Sequence, residues 1–182
     1  MKSTKRTKII AEIASSHNGD IELAKALIGA AADAGADIVK FQSWQAKNVA
    51  DSDPDKERYK RLELSDEAHK IVAEECKKVG VEFLTTCFDI DRISFLKSLG
   101  LKKIKVPSTA LKEPKLLQAL AENFDHVFAS IGMSTIEEIK NAIKILSKTN
   151  YTIMHCISIY PTLLEKANLA KINWLKQNAK SV

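Results

Sequence analysis

Six short apolar runs recur along the chain, IIAEI, DIVKFQ, VEFLTT, KIKVPS, VFASIG and TIMHC, with helical periodicity between them. The runs are nearly continuous in Val, Ile, Leu and Phe and do not alternate apolar with polar, the pattern of strands covered on both faces in a parallel sheet. The intervening helices carry their own start and stop signals. Asp20 is placed to cap a segment with Glu22 in its first turn and Leu23, Leu27 and Ile28 along one face, ending at Gly35. Ser65 opens DEAHKIVAEECKKVG, which stops at Gly80, and Asp89 opens DRISFLKSLG, which stops at Gly100. Ser134 and Glu137 have capping-box spacing before IKNAIKIL. Three helix-Gly-strand junctions predict a repeated βα unit. Right-handed crossovers then set successive strands side by side. The expected class is α/β of the (β/α)8 TIM-barrel type, with about six of eight units in a chain of 182 residues, where a complete barrel has about 250. Residues 1–7 read as a basic tail and 8–182 as the partial barrel.

Polar residues fall at the ends of these runs. In a parallel sheet the strand C-termini and the following loops form the ligand-binding end, so Glu12, Lys40, Gln42, Thr86, Lys105, Ser108 and Ser130 are expected at one mouth. Glu12 interrupts an apolar strand, where an uncompensated carboxylate is costly. It requires a cation, a water network or a catalytic duty, and a structural partnership with Lys40 on the next strand competes with the catalytic account. Gln42 lies two residues beyond Lys40 and shares its face.

Composition narrows the class further. With 45% hydrophobic and 28% charged residues the chain builds a core. The net charge of +5 comes mostly from Lys2, Lys5, Arg6 and Lys8, which read as a solvated start. The remaining Lys and Arg are interleaved with Asp and Glu, without an aromatic-studded basic stripe, which argues against nucleic acid as a partner. No apolar run approaches membrane-spanning or signal-peptide length. Cys76, Cys87 and Cys156 have neither metal nor Cys-x-x-Cys spacing, which fits a reduced, cytoplasmic setting. His17, in Ser-His-Asn-Gly-Asp, reads as part of a turn into a helix, and His155, inside an apolar strand, as a core residue; His69 and His126 carry no pattern.

The segments AEIASSHNGD, AGADIVKFQ, GVEFLTTCFD, IKVPSTAL, ASIGMSTIEEI and MHCISIYPT together resemble the sialic acid synthase family, from about Lys8 to the C-terminus. Members of that family join phosphoenolpyruvate to an N-acetylated amino sugar such as N-acetylmannosamine. The resemblance implies that Lys40 and Lys105 hold phosphoenolpyruvate, that Ser108 and Ser130 bind its phosphate, and that Glu12 sits beside the reacting carbons. It implies that Thr86 and Phe88 line the same side, that Tyr160 meets the amino sugar and that Ser158 stands near it. Such a compact, strongly anionic substrate calls for two cations and short hydrogen-bond donors. A divalent metal, Mn2+ or Mg2+, is implied as cofactor, on two histidines in motifs that would lie beyond Val182. A homodimer closed by a small antifreeze-like domain is implied as well.

Two departures bear on these expectations. Ala110 stands where many members have Asp or Glu, which leaves the choice of amino sugar open, and the sequence stops short of the metal motifs. Open edges on the first and sixth strands are expected to invite pairing with another chain. Two further readings stand beside the synthase: a barrel aldolase forming a Schiff base on Lys105, and an anion-binding fragment without turnover.

Overall fold

The computed structural model describes residues 6–182; the expectation for Lys2 and Lys5 lies outside the described residues. Six parallel strands alternate with helices: β1 (Ile10–Ala14), α1 (Ile21–Asp33), β2 (Ile38–Ser43), α2 (Lys56–Leu62), α3 (Asp66–Val79), β3 (Glu82–Cys87), α4 (Ile93–Ser98), β4 (Lys103–Val106), α5 (Pro114–Asn123), β5 (His126–Ser130), α6 (Ile136–Leu146), β6 (Asn150–Met154) and α7 (Lys171–Asn178). This is the α/β class read from the sequence. The chain divides into two compact units between Thr85 and Thr86.

In the first unit β1 pairs with β2 in parallel, Ile10 opposite Ile38 and Glu12 opposite Lys40. Asp20 caps α1 by accepting from the Glu22 and Leu23 amides, and Ser65 caps α3 by accepting from the Ala68 amide. α1 packs on α3. The buried face of α1 is Ala24 and Ile28, whereas Leu23 is exposed. The apolar stripe is therefore shifted from the expected one: Ile28 stays in it, Ala24 takes the place of Leu23, and Leu27 is half-buried. Helix α2, all but Leu62 and Tyr59 charged, carries no apolar periodicity and was not foreseen. It is held by the Glu63 carboxylate, which accepts from the Ala46 amide at 2.8 Å, and by the Trp44–Tyr59 edge-to-face pair. Arg6 is no free tail residue: it pairs with Asp37, which also accepts from the Ile9 amide at 2.8 Å.

In the second unit Thr86, on β3, pairs with Lys105 on β4; β4 pairs with β5 and β5 with β6, all in parallel. One contiguous core runs under these strands, including Ile104, Val106, Val127, Ala129 and Ile153 from the sheet and Leu117, Leu120, Ile139 and Leu146 from the helices. The capping box of α6 is made by Thr135 and Glu138, one residue later than expected. The Glu138 carboxyl is held below the ordinary range by the Thr135 backbone and side-chain hydrogen bonds. The edge of β6 is not wholly open: the Ile153 amide donates to the Ser181 carbonyl at 2.9 Å. No described helix is long and apolar enough to cross a membrane.

Candidate active site

In the first unit the period of β2 puts Lys40 and Gln42 on one face, and parallel register brings Glu12 against Lys40. Lys40 is only 4% exposed, and its ammonium is paired with the Glu12 carboxylate. Glu12 itself is half exposed, not buried as its apolar neighbours suggested. Burial drives the Lys40 pKa down, and the Glu12 charge opposes this only in part. The ion-pair reading of Glu12 is realised, which leaves a catalytic duty compatible with it. Gln42 is half-buried.

His17 is buried and structural. Its Nδ1 accepts from the Gly19 amide at 3.0 Å, its ring lies 6.1 Å from that of Phe41, and burial lowers its pKa. Gly19 has φ +83° and lies so close to the Arg61 carbonyl that an added Cβ would meet it at 2.5 Å.

In the second unit the register aligns Thr86, Lys105, Phe128 and Thr152 as successive partners across four strands. Thr86 is buried, Lys105 half-buried, and Ser130, the last residue of β5, is 6% exposed. Phe88 follows β3 and is half-buried. Just past the strand ends, the Ser108 hydroxyl accepts from the Gly132 amide at 3.0 Å and lies 3.3 Å from Cys156 Sγ. A Cβ on Gly132 would collide with Ser158 Oγ and come within 3.0 Å of Cys156 Sγ. The loops after β4, β5 and β6 therefore meet at Ser108, Gly132, Cys156 and Ser158. Sequence reading singled out Ser108 and Ser158 but missed Gly132 and Cys156, since no local spacing links residues 24 and 48 positions apart.

Tyr160 lies on the exposed segment after β6, 95% accessible, preceding a cis Pro161. His155 Nε2 is 2.8 Å from the Ala167 carbonyl and anchors the base of that segment. His126 bonds to Thr152, which bonds to Ser181. Cys76 and Cys87 are buried, with thiols pushed up to about 12 chiefly by desolvation. Among the described residues no three His, Cys, Asp or Glu side chains are grouped to hold a metal ion.

Parallel strands alternating with helices, as in each of the βα units described, define a barrel-type α/β protein. The NeuB family profile matches residues 27–182, and the chain belongs to that family. It is 38% identical to the N,N'-diacetyllegionaminic acid synthase of Campylobacter jejuni over 94% of this chain and 58% of that protein. The enzyme of the same name from Legionella pneumophila is 35% identical over 92% and 53%. The chain thus spans between half and three-fifths of these relatives. The crystal structure of N-acetylneuraminic acid synthetase from Leptospira borgpetersenii, in complex with citrate, superposes with a TM-score of 0.93 at 30% identity, over 97% of this chain and 63% of that one. A truncated 3-deoxy-D-arabino-heptulosonate 7-phosphate synthase from Thermotoga maritima shares the fold alone, with a TM-score of 0.70 at 12% identity.

Proposed function

We propose that the protein carrying this chain condenses phosphoenolpyruvate with an N-acetylated amino sugar to give a nonulosonic acid and phosphate. The observation that carries the reading is Lys40: a nearly fully buried ammonium beside a half-exposed carboxylate, within the second strand of a NeuB family chain. Burying a cation costs stability, and such a cost is retained where the charge has work to do. In the reaction, carbon three of phosphoenolpyruvate forms the new bond to the aldehyde carbon of the open-chain sugar. Water then adds to carbon two, and phosphate leaves.

Lys40 and Lys105 neutralise phosphoenolpyruvate, and Ser108 and Ser130 donate to its phosphate oxygens. Glu12, already touching Lys40, is solvent-accessible enough to handle the proton of the attacking water. Thr86 and Phe88 border this substrate, Tyr160 meets the sugar with Ser158 near it, and Gln42 contacts substrate. The citrate in the Leptospira relative, itself a polycarboxylate anion, supports an anion-binding role. The described residues do not fit the Mn2+ or Mg2+ that the sequence resemblance calls for, so no step is assigned to it. The three free cysteines fit a cytoplasmic protein, and the active assembly in this reading is a homodimer.

The test is Lys105→Met in the intact protein. It keeps side-chain length and removes the charge, so phosphoenolpyruvate affinity should fall by about one to two decades, the equivalent of roughly 1.5–3 kcal/mol. Sugar affinity should hold. Calorimetry on a variant shown folded by circular dichroism reads both, and unchanged phosphoenolpyruvate affinity would remove Lys105 from the site.

A further inference from the structure

We propose that Cys156 is a positioning residue that makes the Ser108 hydroxyl a donor for the phosphate group of the substrate. A serine hydroxyl has one hydrogen to give and two lone pairs to receive with. One lone pair of Ser108 is taken by the Gly132 amide at 3.0 Å. What remains depends on Cys156, whose Sγ is 3.3 Å away. If the thiol donates to Ser108, both lone pairs are filled and the hydroxyl hydrogen is directed elsewhere. If Ser108 donates to sulfur, it has nothing left for a ligand.

A phosphate oxygen accepts hydrogen bonds, so only the first arrangement serves a phosphate site. Phosphate therefore selects the state in which Cys156 is the donor. The geometry holds the thiol within reach of Ser108. Gly132 has no Cβ because Cys156 Sγ, the Cys156 carbonyl and Ser158 Oγ occupy that space, so the loop after β6 is pressed onto the loop after β5 with the thiol turned toward Ser108. The effect is indirect: Cys156 acts through Ser108 and does not touch the substrate. The inference deepens the proposed function and rests on Ser108 meeting phosphate.

The experiment titrates the intact protein with inorganic phosphate, phosphoenolpyruvate and N-acetylmannosamine by calorimetry. Cys156→Ala leaves the Ser108 hydroxyl hydrogen available but no longer aimed by a second bond to its oxygen, so phosphate and phosphoenolpyruvate should weaken by about two- to ten-fold, within the range of one hydrogen bond, while the sugar affinity and melting temperature stay in place. Cys156→Ser, which restores a donor, should return affinity to within about two-fold of wild type. In a Ser108→Ala background the Cys156→Ala change should have no further effect, since the two residues act as one unit. If Cys156→Ala does not fold, Cys156→Val takes its place, filling the space without a donor. The proposal is overturned if Cys156→Ala binds phosphate as wild type does, if Cys156→Ser is no better than alanine, or if the loss persists without Ser108. Wild-type protein that binds phosphate but not phosphoenolpyruvate would sink the substrate reading while the Cys156 comparison on phosphate still stands; binding of neither would sink both.

Discussion

The Glu12–Lys40 pair makes an asymmetric prediction, because the two partners are buried so differently. Glu12→Gln removes the carboxylate next to a side chain that is 4% exposed, and water reaches that ammonium poorly. The loss should cost about 1–3 kcal/mol, below the 3–5 kcal/mol typical of a wholly buried pair because Glu12 already faces solvent on one side. For a chain of this size that is a fall of about 2–12 °C in melting temperature. Lys40→Met does the opposite chemistry. It removes the buried charge and leaves a half-exposed carboxylate that water can solvate, so the fold should be as stable as wild type or more so, while phosphoenolpyruvate binding is lost.

The pH dependence carries the same sign. Lys40 titrates below its ordinary 10.5 in the folded protein because burial disfavours the ammonium. Between the folded and unfolded pKa the unfolded chain holds more protons, so the Lys40 contribution to stability rises with pH through that window. Glu12→Gln deepens the depression, so its deficit against wild type should be full at neutral pH and shrink toward pH 10. Thermal unfolding by circular dichroism at pH 7 and at alkaline pH measures this. Equal losses from both variants, or a Glu12→Gln deficit independent of pH, would refute the assignment of the burial cost to Lys40.

Three further outcomes follow from local geometry. Gly19→Ala places a Cβ 2.5 Å from the Arg61 carbonyl at φ +83°; it should lower stability by at least about 1–3 kcal/mol in urea unfolding, and a wild-type midpoint would show that α2 yields easily. Thr135→Ala should cost about 1 kcal/mol through loss of the α6 cap, whereas Ser134→Ala should be nearly neutral; equal effects would mean that both residues cap. Of the three thiols only Cys156 should react with an aromatic disulfide reagent in the native protein, since Cys76 and Cys87 are buried with pKa values near 12; rapid reaction of two or three would mean that these cores open readily.

Most of the architecture was legible because strands and helix ends are local events. The apolar runs fell on the six strands, and Asp20 and Ser65 capped the helices they precede. The misses are places where two local solutions compete or where none exists. Ser134-x-x-Glu137 and Thr135-x-x-Glu138 are overlapping boxes of the same quality, and the Ser134 amide is committed to the Ile131 carbonyl, so the helix starts after Thr135. Helix α2 gave no periodic signal because its charged residues other than Lys56 face water. In the candidate site, the partnership of Glu12 with Lys40 could be anticipated from neighbouring strands. The contact of Ser108 with Gly132 and Cys156 could not, because it joins three loops through single atoms.

The bond from the Ile153 amide to the Ser181 carbonyl also sets a clock for hydrogen exchange. Ile153 is 1% exposed and sits in the core, which by itself suggests an amide that exchanges only when the unit unfolds. Its partner carbonyl, however, lies outside any strand, on a segment otherwise tied by the Thr152–Ser181 hydroxyl contact and by the Lys180 amide's bond to the Tyr151 hydroxyl. Local opening of that segment frees the amide without disturbing the side chain beneath it. A deeply buried residue thereby reports on how firmly the sheet edge is held, and replacing Ser181, which carries one of the segment's ties, would be read out first as a change in how fast that one proton is lost.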